Sequence, residues 1–105
     1  MAVTRDQLFT YASALMQTVS KIPFVKAEGW LRDRDEYSIE VPGDVIPESV
    51  SCTAMAIQEF NEHGQRQIEI TCSCFAGETQ AIGHVYISED GTSEIDPEVR
   101  IDSAS

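Results

Sequence analysis

Basic residues are scarce in this sequence: seven Lys and Arg stand against 18 Asp and Glu among 105 residues, a net charge of −11. That balance argues against direct binding to a nucleic-acid backbone or an anionic lipid surface, both of which need clustered cations. Long apolar runs are also missing. Nothing approaches the roughly 18 residues of a membrane span, and residues 1–8 lack the apolar stretch of an export signal. The three cysteines, Cys52, Cys72 and Cys74, are too few and odd in number for a disulfide scaffold. A reducing, cytoplasmic setting is therefore expected.

Recognisable catalytic and cofactor motifs are absent as well. No Gly-x-Gly-x-x-Gly or other phosphate-cradling loop occurs. The two histidines, His63 and His84, have no acid or nucleophile at triad-like spacing. Residues 33–44 carry acids at the first, third and last positions of a calcium loop. Tyr37, Ser38 and Asp44 nevertheless stand where that loop needs an oxygen ligand, a glycine and a glutamate. Cys72-x-Cys74 places two sulfurs on one strand face, and three thiolates with a histidine would suit zinc. The same pattern puts them on the apolar side, where a free cysteine packs as a small hydrophobe. No metal, no cofactor and no enzymatic activity are expected, and no motif names a family.

What is present is a globular composition, 42% hydrophobic, in a chain short enough for a single domain, residues 1–105. Residues 4–22 read as a helix. Leu8, Ala12, Leu15, Val19 and Ile22 form one apolar stripe, Thr4 and Gln7 make a capping box, and Pro23 closes the segment. Residues 66–88 read as a hairpin. Ile68, Ile70, Cys72 and Cys74 alternate with polar residues, and a two-residue turn at Gly77-Glu78 sets them opposite Ile87, Val85, Gly83 and Ala81. The other face then carries Glu69, Thr71, Ile82, His84 and Tyr86.

Residues 50–60 fit a strand or a helix. The strand is favoured by Ser51-Cys52-Thr53 and by Gly64, with a three-residue loop at 62–64 setting Cys52 opposite Cys74. Residues 37–41 alternate as a strand, with 24–31 as its hairpin partner across a charged tip at 32–35. Asp90-Gly91 suggests a tight turn, Ile95, Val99 and Ile101 an edge strand interrupted by Pro97, and residues 102–105 a frayed end. The expected fold class is α+β, an N-terminal helix packed on one face of a four- to six-stranded, mainly antiparallel meander.

The charge is uneven. Residues 1–27 hold one acid and three bases, whereas residues 28–105 hold the other 17 acids and only Arg32, Arg34, Arg66 and Arg100. A field of this sign steers basic partners toward the protein. The leading expectation is a small acidic protein-binding module. It would act as an inhibitor or immunity-type protein occupying a basic, nucleic-acid-binding surface of a partner, as a nucleic-acid mimic in phage counter-defence would. The carboxylates expected to carry this are Asp33, Asp35, Glu36 and Glu40 in one group and Glu89, Asp90, Glu94, Asp96 and Glu98 in another. The alternative is a homodimeric adaptor or secretion-chaperone-like subunit that uses an apolar sheet face or edge through Trp30, Ile82 and Tyr86, with the acids serving solubility. A third, a small enzyme with a site assembled across strands, has no motif behind it.

Overall fold

Thr4 accepts a hydrogen bond from the Gln7 amide, and the Gln7 side chain accepts one from the Thr4 amide, so the capping box read from the sequence starts helix α1, Arg5–Val19. The computed structural model describes residues 3–103. Leu8, Ala12, Leu15, Met16 and Val19 form the buried stripe of α1. At roughly 1.5–3 kcal/mol for each large aliphatic side chain taken out of water, that stripe secures the helix to the sheet.

A second helix, α2, spans Phe24–Asp33 and corrects the expectation of a strand over 24–31. Phe24, Ala27, Trp30 and Leu31 recur at helical spacing, and Ala27 and Trp30 are buried. Pro23 stands at the N-cap, and Arg34 ends the helix with a φ of 56°. The charged residues expected at a hairpin tip therefore form a helix terminus.

The sheet comprises β1 (Tyr37–Ser38), β2 (Ser51–Glu62), β3 (Gln65–Ala76), β4 (Thr79–Ser88), β5 (Ser93–Ile95) and β6 (Arg100–Ser103). Strands β1 to β5 lie side by side in chain order, all antiparallel, and β6 pairs with β4 alongside β5. The fold is thus an open antiparallel α+β sheet with the helices on one face, α1 over β3 and β4 and α2 mainly over β2.

The β3–β4 hairpin has the expected register at every pair, from Ala76 opposite Thr79 to Ile68 opposite Ile87, and Gly77 takes the positive φ of 62° that its turn requires. β2 is a strand, as favoured, and Cys52 stands opposite Cys74. The turn after it is shorter than expected. Glu62 pairs with Gln65 across His63 and Gly64, both at positive φ, in place of a three-residue loop. A bulge between Ala56 and Gln58 restores the lower register.

β1 is only two residues long, although Ile39 extends its pairing by donating its N–H to Cys52 O. The edge strand expected around Pro97 is divided into β5 and β6. Asp102 and Ser103 are not frayed, since they pair with Gln80 and Thr79. Ala104 and Ser105 lie outside the described residues. No helix among the described residues is long and apolar enough to cross a membrane.

Candidate functional site

The strand order decides where the acids go. Asp33 ends α2, Asp35 and Glu36 lead into β1, and Glu40 follows it, all four exposed at the β1 edge of the sheet. Glu89 and Asp90 stand on the β4–β5 turn, Glu94 on β5, and Asp96 and Glu98 on the β5–β6 connection, at the opposite edge. Only Asp96 of these nine is partly buried. The structure strings each group along one edge and sets the two groups on opposite edges. With strands about 4.8 Å apart, four spacings set the rims roughly 19 Å from one another.

Local hydrogen bonds shape both rims. The Tyr37 hydroxyl donates to Asp33 at 2.9 Å, and this bond to a carboxylate pushes the Tyr37 pKa up. Asp90 accepts from both the hydroxyl and the amide of Thr92, which holds its carboxyl below the usual range. Asp96 accepts from the Glu98 amide. Ion pairs engage other carboxylates. Arg66 reaches Glu28 on α2 and Glu59 on β2, lies over the Phe24 ring at 5.1 Å, and lowers the Glu59 pKa by its hydrogen bond. Arg100 pairs with Asp102 at 3.0 Å.

Between the rims lies the face of the sheet that the helices leave open. Thr53, Met55, Thr71, Phe75, Ile82, His84 and Tyr86 alternate with the buried core positions, as strand geometry demands. Glu69 is the single carboxylate on this face across residues 53–60, 67–75 and 80–88, and it faces His84 at 4.0 Å. A shallow groove of about 870 Å³ runs over Ile82, His84 and Tyr86 to Asp96, Glu98 and Ile101. Burial first, then the charges of Glu69, Asp96 and Glu94, raise the Tyr86 pKa.

The apolar residues of the adaptor reading divide. Ile82 and Tyr86 stand on the open face as expected. Trp30 is 7% exposed and stacks on Tyr37 at 4.9 Å, so it belongs to the core. What sequence reasoning missed is the long unpaired edge of β2, along which Ile57 at the bulge and Phe60 on the open face are 43% and 40% exposed. The signal was present in the expected lengths, because a strand over residues 50–60 outruns one over residues 37–41 and must leave part of its edge unpaired.

The cysteines lie on the helix-facing side, all three buried and free. Cys52 and Cys74 approach to 3.5 Å between sulfurs, while His84 faces the other way. No group of three or more His, Cys, Asp or Glu among the described residues is placed to hold a metal ion. Comparisons with family models, curated proteins and solved structures find no match.

Proposed function

We propose that this protein is a small acidic binding module that docks on a basic surface of a partner protein, as an inhibitor or immunity-type protein would. It works by occupancy rather than by catalysis. The observation that carries the reading is the division of charge: exposed carboxylates line both edges of the sheet, and between them, across residues 53–60, 67–75 and 80–88, Glu69 is the one carboxylate on the open face. Interfaces deplete charge at their centre and keep it at the rim, where it steers encounter and fixes orientation. A partner that normally binds phosphates offers the complementary arrangement, and two negative rims stand in for its anionic ligand. Phage counter-defence is one setting that uses such mimicry, and three free thiols suit a cytoplasmic one.

The adaptor reading draws support from Ile57 and Phe60, which give an apolar edge to a second copy. Against it, each copy carries a net charge of −11, which opposes self-association at low salt.

The test is capture from host lysate with wild-type protein and with two neutralised forms. One carries Asp33→Asn, Asp35→Asn and Glu36→Gln, and the other Glu94→Gln, Asp96→Asn and Glu98→Gln. A basic partner should be retained by wild type, weakened by each triple variant, and released between about 0.1 and 1 M salt as the screening length falls from about 10 to 3 Å. An acidic partner, or retention unchanged by salt and by both variants, overturns the proposal. Light scattering that finds a salt-indifferent dimer favours the adaptor.

A further inference from the structure

We infer that the outer edge of β2, over residues 55–61, receives an extended basic segment of the partner as an added strand. The inference rests on the reading that the partner is basic, and it names how that partner is held.

β1 covers β2 only at Thr53 and Ala54, with one more hydrogen bond from Ile39 to Cys52. Beyond Ala54, no described strand pairs with the outer side of β2. Its outward backbone N–H and C=O groups are a ready template for another chain. Folded proteins guard such edges with lysine or other charges, proline, bulges or short strands. Here the one charge within 55–61, Glu59, is drawn to Arg66 on β3. β2 runs twelve residues and contains neither lysine nor proline. Its bulge at Ile57 bends the edge locally, while Ile57 and Phe60 remain exposed apolar groups that an added strand would cover.

The chemistry of the occupant follows from what ends β1. Arg34 caps α2 in the left-handed region, and β1 begins only at Tyr37. Continuing its register backward sets Glu36 level with Met55 and Asp35 level with Ala56, where the open edge begins. Asp33 is held close by through Tyr37. A strand laid along β2 therefore runs up to exposed carboxylates, and lysine or arginine on that strand meets them. A second copy of this chain would bring Glu59 and the same acids instead, which argues against self-pairing.

The test uses wild-type protein and two synthetic peptides of about eight residues, a typical strand length. One alternates lysine and valine, and the other is the same peptide with every internal amide N-methylated. The second keeps all charges and loses the backbone donors. The unmodified peptide should bind at low salt, slow amide hydrogen exchange within residues 55–61 by about tenfold or more, and bind about tenfold tighter than its N-methylated counterpart. Equal binding of the two, or protection confined to other strands, overturns the edge assignment and leaves the charge-based reading standing. Failure of both peptides to bind overturns both.

Discussion

Cys52 and Cys74 face each other across β2 and β3 with their sulfurs 3.5 Å apart. Cys52 O accepts the Ile39 amide, so the backbone groups of Cys52 point toward β1 and not toward β3. The cysteines therefore form a non-hydrogen-bonded pair, the closer of the two antiparallel pairings at about 4.5 Å between Cα atoms. That separation falls within the range a disulfide spans. The hydrogen bond between the two sulfurs holds the Cys52 thiol pKa down and pushes that of Cys74 up, while burial pushes Cys72 up to about 12.

Mild oxidation by hydrogen peroxide should accordingly join Cys52 to Cys74 and spare Cys72. The Cys52 thiolate takes one oxygen from peroxide to become a sulfenic acid, and the Cys74 sulfur then displaces it as water. Overall, two thiols and one peroxide give one disulfide and two waters. Intact mass should fall by two hydrogens, peptide mapping should place the link, and the rate should rise with pH as Cys52 ionises. A closed loop of this length stabilises the fold by about 3 kcal/mol in the chain-entropy model. A product linking Cys72, or no loss of hydrogen, would contradict the geometry.

Gly83 makes room for α1. A methyl group built on it would fall 2.5 Å from Met16 Sδ. The atoms it meets are the mobile end of a methionine, so Gly83→Ala should lower stability in urea by about 1 kcal/mol, the low end of the cost of overpacking. Adding Met16→Ala should cost less in that background than in wild type, with a coupling of about 1 kcal/mol or more. Simple additivity would mean that Met16 swings aside freely and that the helix does not depend on the glycine.

How far the sequence foretold this fold depends on whether periodicity or context decides each element. The α1 cap and the β3–β4 register were legible because Thr4, Gln7, Gly77 and the alternation from Ile68 to Cys74 each act locally. α2 was not, because a short segment with Gly29 between Phe24 and Trp30 satisfies either period, and the core under Ala27 and Trp30 decided for the helix. The two acidic groups were legible as residues. Their separation to opposite edges was not, since it follows from strand order. Cys52 was placed correctly against Cys74 for a mistaken reason: the turn is one residue shorter than expected, and the bulge at Ile57 supplies the missing residue.

That compensation makes Ile57 dispensable to the ladder. Ala56 pairs with Ile70 and Gln58 with Glu69, so removing the residue between them leaves every other pair in place. The faces are preserved too, because Ala56 is buried and Gln58 lies with Glu69 on the open face. Deletion of Ile57 should give a folded protein within about 1 kcal/mol of wild type in urea. Deletion of Thr71 is the contrasting case. It would make Ile70 and Cys72 neighbours, and one half of β3 would have to turn its buried side chains to solvent. Two or more buried aliphatic groups lost in this way exceed about 3 kcal/mol, enough to unfold a marginal domain. If the Ile57 deletion proves as damaging as the Thr71 deletion, the bulge is a structural requirement of the strand and not a spacer between turn and core.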